Sequence, residues 1–291
     1  MTAPTAKDKA RRPTIEWQVC GVCNYDCSYC IQSKRYRVGH PEDDEVEGFL
    51  RFFASLDAAW EIKMTGGEPF AFKAFMHRII PGLVAETSHR ISVLTNLSAP
   101  ASVLDRFAAA TQGRLDVVSA SLHLEFTTIS AFAEKALRLR RAMDPGASLV
   151  CNCVMVPGKL EEAREAQQEL ERQGLKFFPQ LFKTKHGVFD YGTDDRRRLL
   201  PMIGEAPTPR EANLSPSYRG KLCYTGVDYF VLTQRGDAWS CRTARRMDEG
   251  FMGNVLDGSF ARMQGPHPCS YDICPCTVPA NRSMIVGVGG A

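Results

Sequence analysis

The sequence predicts an α/β protein built on a parallel sheet, open or curled into part of a barrel, with a small cysteine-rich extension behind it. Three observations predict this. Over residues 14–183, six short apolar or β-branched runs alternate with five amphipathic stretches, the pattern of parallel strands joined by right-handed crossovers. The 291 residues, 44% apolar and 24% charged, suffice to bury a large core. Nine of the eleven cysteines fall into two groups, one near each end of the chain.

The strands are expected at Ile15–Cys20, Trp60–Thr65, Arg90–Leu94, Asp116–Leu122, Ser148–Val156 and Leu175–Phe182. Helices are expected at Asp44–Leu56, Phe72–Ala85, Ser102–Thr111, Thr127–Met143 and Lys159–Gln173. The last of these starts after Pro157–Gly158 and stops at Gly174, as helix punctuation predicts. Residues 1–13 read as a polar, disordered arm. Residues 184–222, with the charged run Asp194–Arg198 and prolines 201, 207, 209 and 216, read as a solvated connection because proline breaks helices. Tyr229–Thr233 and Ala238–Cys241, flanking Arg235–Gly236–Asp237, read as a β-hairpin. It opens a cysteine-rich domain over 223–280 that is too short to build much core, so a metal staple is expected there. Residues 281–291 form a tail.

A net charge of +3 from 36 basic and 33 acidic residues gives no basic groove for nucleic acid and no patch for an anionic membrane. The longest apolar runs fall well short of the roughly 18–20 residues a membrane span needs. The first residues lack the apolar stretch of a secretory signal. A cytoplasmic protein is expected, without nucleic-acid or membrane partners. Its cysteines are then expected to hold metal or do chemistry rather than to form disulfides.

Cys20, Cys23, Cys27 and Cys30 could be read as two C-x-x-C pairs for zinc, but only three residues separate the pairs, which is cramped for a tetrahedral site. Thiolates are equally the ligands of iron–sulfur clusters. The spacing C-x3-C-x2-C from Cys23 wraps three thiolates round one side of a cubane and leaves one iron open to a small molecule. At Cys23, Cys27, Tyr29 and Cys30 the chain resembles the radical S-adenosylmethionine (SAM) superfamily, whose hallmark is C-x3-C-x-aromatic-C after the first barrel strand. The resemblance implies a partial (β/α)6 TIM-like barrel. It also implies a 4Fe–4S cluster whose open iron chelates SAM, and reductive cleavage of SAM to a 5′-deoxyadenosyl radical. An external one-electron donor such as flavodoxin or ferredoxin follows from the same resemblance. Cys20 falls outside the trio and reads as a buried strand-end cysteine.

The second strand runs into Thr65–Gly66–Gly67–Glu68–Pro69. Alone it is a common turn; at this place it matches the family's site for the SAM amino group. There the glycines permit close backbone approach and the Glu68 carboxylate accepts from an ammonium. Thr95 and Asn96 at the end of the third strand, and Ser119 and Ser121 on the fourth, fall where the family contacts SAM or substrate. His123 and Glu125 are candidates for gripping a polar substrate, against the plainer reading of His123 as structural.

Cys223, Gly236 and Cys241 fit C-x12-G-x4-C, and Cys269, Cys274 and Cys276 follow. This resembles the auxiliary-cluster extension called SPASM, or its shortened form twitch. Five cysteines are fewer than the full pattern carries, which implies one auxiliary 4Fe–4S cluster with four of the five as ligands and one spare. A structural zinc site is the alternative. Two reactions stay open for a small polar substrate such as a sugar or aminocyclitol. Epimerisation needs a thiol to return hydrogen; dehydrogenation needs an electron acceptor. Cys151 and Cys153 share one face of the fifth strand and are donor candidates if that face is the barrel interior; otherwise they pack in the core. The spare thiols favour epimerisation. Maturation of a ribosomal peptide is the further alternative. It is disfavoured because only fourteen residues precede the first strand, too few for a leader-binding domain.

Overall fold

The computed structural model describes residues 11–32, 37–184, 186–203 and 212–288. The expected arm over 1–13 and the prolines at 207 and 209 therefore lie wholly or mostly outside the described residues. Six parallel strands, β1 (Thr14–Cys20), β2 (Glu61–Gly66), β3 (Arg90–Thr95), β4 (Leu115–Leu122), β5 (Ser148–Met155) and β6 (Lys176–Leu181), are hydrogen-bonded in sequence order. Helices α1 (Asp43–Ala54), α2 (Ile80–Glu86), α3 (Ala101–Ala110), α4 (Ile129–Ala142) and α5 (Leu160–Arg172) connect them. A sheet wound in sequence order by crossovers of one hand carries all its helices on one face, the winding of a TIM-like barrel.

Period-two alternation decides what each strand shows to which side. On β1, Ile15, Trp17 and Val19 are buried in the helix-side core, with the Trp17 ring 4.7 Å from Phe49 and 5.1 Å from Phe53 of α1. Glu16 and Gln18 point to the opposite, inner face. α1 forms there because a capping box joins Glu42 and Glu45, acidic residues fill its first turn, and Val46, Phe49, Leu50 and Phe53 make one apolar stripe.

Three elements differ from expectation. The helix read over Phe72–Ala85 is a π-helical turn, Phe75–Ile79, followed by α2. Pro81 brings no N–H to an α-helical ladder, and the turn before it widens. Within 184–222 lies a helix, α6 (Thr193–Ile203), despite Pro201. Proline near its end removes only one ladder bond, while Leu199 and Met202 gain burial and Gln167 of α5 donates to the Met202 carbonyl at 3.5 Å. Ahead of α6, β7 (Lys183–Thr184) and β8 (Gly187–Val188) form a two-stranded turn.

The hairpin has slightly shorter strands than expected, gains a third strand and continues the main sheet. After β9 (Leu222–Cys223) come β10 (Tyr229–Leu232), β11 (Asp237–Trp239) and β12 (Phe251–Asn254). β10 pairs parallel with β1, Thr14 to Tyr229 through Trp17 to Leu232, and β11 and β12 add antiparallel strands outside it. β13 (His267–Pro268) pairs with β9, bringing Cys269 close to Cys223.

Candidate active site

The loop leaving β1 carries Cys23, Cys27 and Cys30, and the Gly66–Gly67 turn leaving β2 is zipped against it. Gly67 N donates to the Cys20 carbonyl and Glu68 N to the Val22 carbonyl, both at 2.9 Å. A Cβ on Gly67 would lie 1.9 Å from the Val22 oxygen, and Gly66 holds φ +142°. No other residue type fits either position. Gln32 adds a bond to the Gly66 carbonyl at 2.5 Å. Cys20 is fully buried behind this turn, with its thiol 3.6 Å from the Glu68 carbonyl oxygen. Pro69, itself buried, opens a 3-10 turn.

Glu68 is 1% exposed and ties the site together. Its carboxyl accepts from Asn96 N at 2.7 Å, Thr95 Oγ1 at 2.8 Å and Phe70 N at 3.2 Å. Burial pushes its pKa up to about 7 against those donors. Asn96 in turn donates to Asn24 of the cysteine loop at 3.1 Å. The expected Gly66, Gly67, Glu68, Pro69, Thr95 and Asn96 thus converge on the cysteine loop.

His123 and Glu125, expected to grip substrate, face the loop instead. His123 Nδ1 lies 3.3 Å from Cys27 Sγ and 3.0 Å from Tyr29 Oη, and its ring stacks on Tyr29. Burial holds it neutral, with its pKa lowered to about 4. Glu125 accepts from Ser28 N at 2.9 Å and Ser28 Oγ at 2.5 Å. Both residues leave β4 directly beneath the loop, so the loop takes their polar atoms. Ser119 and Ser121 do lie on the inner face, bridged by Asn152, which donates to Ser119 Oγ at 3.1 Å and accepts from Ser121 Oγ at 3.0 Å.

Cys151 and Cys153 require a correction. They alternate with Asn152, so they point the other way, into the helix-side core with Leu149, Met155, Ala120 and Leu122. Burial raises both thiols to about 12. Neither reaches the inner face.

At the other end of the inner face the five C-terminal cysteines converge, and none is in a disulfide. Cys269 and Cys274 pack against the cluster that holds the buried Cys223, and burial, followed by the neighbouring thiols, raises the Cys274 pKa. Cys241 caps the short helix Arg242–Arg246, its Sγ accepting from Ala244 N at 3.3 Å. Cys276 leans toward β1, with Sγ 3.8 Å from Glu16 Oε2 and 3.9 Å from Tyr229 Oη. Glu16 is 3% exposed and accepts from Arg242 and Tyr229, both at 2.6 Å. Although burial raises its pKa, the Arg242 guanidinium pulls it down to about 2. Arg242 also reaches Thr65 Oγ1 at 3.3 Å, and Arg245 donates to Gln18 at 3.1 Å.

The profile of the radical SAM superfamily matches residues 17–166, just over half of the chain. The chain belongs to the radical SAM superfamily. As a radical SAM protein it uses SAM and a 4Fe–4S cluster, and the residues present fit both. Cys23, Cys27 and Cys30 are free thiols on one loop, and the Gly66–Gly67 backbone comes close to that loop as no larger residue would allow. A GTP 3′,8-cyclase of Stenotrophomonas maltophilia is 30% identical over 87 residues, covering 29% of this chain and 26% of that protein. Among solved structures, hexahistidine-tagged anSMEcpe with bound AdoMet shares the fold at a TM-score of 0.60 and 15% identity, over 84% of this chain and 78% of that one. Streptococcus suis SuiB bound to precursor peptide SuiA does so at 0.61 and 14%, over 86% and 65%. These overlaps exceed the matched domain, so the shared fold reaches into the sequence beyond it.

Sequence reasoning missed Asn24, Ser28 and Gln32 on this radical SAM loop, and Glu16, Arg242 and Tyr229 at the far end. Glu16 carried a signal, a carboxylate inside the apolar strand TIEWQVC. Its partners lie more than two hundred residues away, 226 in the case of Arg242, and no local pattern links them.

Proposed function

We propose that this radical SAM protein epimerises a polar substrate of the sugar or aminocyclitol kind, with Cys276 returning the hydrogen. When bound, the 4Fe–4S cluster and SAM supply a hydrogen-abstracting 5′-deoxyadenosyl radical, and an auxiliary 4Fe–4S cluster supplies single electrons. Cys223, Cys241, Cys269 and Cys274 are a complete four-thiolate donor set for that auxiliary cluster. An external one-electron donor of the flavodoxin or ferredoxin kind completes the system.

The observation that carries the reading is the place of Cys276. Its thiol lies beside Glu16, four residues before Cys20, which is about 13 Å along the strand below the cysteine loop. A substrate held on the inner face between the two is approached from one end where hydrogen is removed and from the other by a thiol. Removal and return from opposite sides invert a carbon centre. Cys276 S–H gives its hydrogen atom to the carbon radical, and the sulfur is restored by one electron and one proton. Gln18, Ser119, Ser121 and Asn152 line the face between and suit a hydroxyl-rich substrate.

The test is Cys276→Ser, assayed on sugars and aminocyclitols. The variant is expected to keep its iron and to form 5′-deoxyadenosine while forming no inverted product, because abstraction precedes return. Inverted product at the parental rate would overturn the assignment. A parental product two hydrogens lighter than the substrate would make the enzyme a dehydrogenase, and turnover only on a peptide would make it a maturase.

A further inference from the structure

Lys183 is 7% exposed at the start of the β7–β8 turn, a rare place for an ammonium. Its Nζ donates to the Pro275 carbonyl at 2.7 Å, between Cys274 and Cys276, and interacts electrostatically with both thiols. An ammonium has three hydrogens to place. Among the described residues no other hydrogen bond and no carboxylate ion pair of Lys183 is found. The turn is seated against the cysteine segment, since a Cβ added at Gly187 would meet Ile273 at 3.6 Å, so Lys183 is built into place.

Two more cations, Arg242 and Arg246, act on Cys276, and one carboxylate, Glu16, answers them through Arg242. A buried ammonium without a counter-charge is costly. Neutral thiols do not supply that charge; a cubane ligated by four thiolates does, since its oxidised form carries net charge −2 and its reduced form −3.

We propose that Lys183 is the counter-ion of an auxiliary 4Fe–4S cluster on Cys223, Cys241, Cys269 and Cys274, and that it raises that cluster's reduction potential. This rests on the auxiliary-cluster reading given above. A fixed positive charge stabilises the more negative, reduced form, because the interaction grows with the charge it meets in a low-dielectric site. The electron that restores Cys276 is then available from a cluster that the external donor is able to reduce. Lys183 acts through the cluster and is a positioning residue.

The measurement is a redox titration followed by electron paramagnetic resonance, on full-length protein carrying Cys23→Ala, Cys27→Ala and Cys30→Ala so that only the auxiliary signal is present. Adding Lys183→Met is expected to move the midpoint to more negative potential with iron unchanged, and Lys183→Arg to leave it near the parental value. Where Lys183→Met fails to fold, Lys183→Gln keeps a donor for the Pro275 carbonyl, lacks the charge, and is expected to give the same negative shift. An unchanged midpoint in the neutral variants overturns the role of Lys183 while the cluster stands. A triple variant holding zinc or no iron overturns the auxiliary cluster itself and Lys183's role with it.

Discussion

Glu61, at the start of β2, is 1% exposed, and its carboxylate receives Arg282 Nε at 2.5 Å, Arg282 Nη2 at 2.7 Å and Ser92 Oγ at 2.6 Å. Burial alone would raise its pKa, yet the Arg282 guanidinium brings it down to about 2 from 4.5. A carboxyl with a depressed folded pKa stabilises the fold above its unfolded value, and the contribution is lost as pH falls from 4.5 toward 2. The shift corresponds to roughly 3 kcal/mol at neutral pH. Glu61→Gln is therefore expected to lower stability at pH 7 by about 3–5 kcal/mol, since it leaves Arg282 buried without its partner. The gap to the parent should narrow at pH 3. Denaturant titrations at the two pH values check this, and a gap independent of pH would contradict the assignment. The pair joins β2 to the C-terminal segment, which no local pattern announced, although Glu61 stands at the head of an apolar run as Glu16 stands inside one.

The end of β4 grips the cysteine loop at two points, His123 against Cys27 and Tyr29, and Glu125 against Ser28. Residues that orient metal ligands typically change affinity by about 10–100-fold when removed. Glu125→Ala is expected to free Ser28, speed the loss of iron from the reconstituted loop cluster by about 10-fold, and spare the iron of the proposed auxiliary cluster. Chelator challenge with iron counted over time measures this; parental retention would mean that Ser28 needs no anchor. The loop motif and the strands were legible because each is local: cysteine spacing, Gly66–Gly67, and period-two runs whose ends fell within a residue or two. The direction of a strand's faces was not legible in the same way. Ser148–Met155 reads alternately, but which half meets helices depends on the crossover α5 and on Ala120 and Leu122 next door, and that placed Cys151 and Cys153 in the core. The helix at Thr193–Ile203 was hidden for a related reason, since its stability comes from packing on α5 and not from its own proline-bearing sequence.

Across the whole molecule, one inner face connects two cysteine sites. β1 has the Cys23–Cys30 loop at its C-terminal end and Glu16, Tyr229 and Cys276 near its start, and β10 docks on the same strand to bring the C-terminal cysteines underneath. The strand order through β6 follows from the alternation of the sequence. The parallel pairing of β10 with β1 does not, because it joins segments far apart in the chain. That pairing leaves Cys276 beside Glu16 and Tyr229, at the end of the inner face opposite the Cys23–Cys30 loop. The most direct measurement is turnover in D2O with product analysed by mass and by nuclear magnetic resonance. A thiol exchanges its hydrogen with solvent before giving it up, so inversion through Cys276 predicts one deuterium, placed at the inverted carbon. Inverted product without solvent deuterium, or product two hydrogens lighter than substrate, would contradict hydrogen return by a thiol.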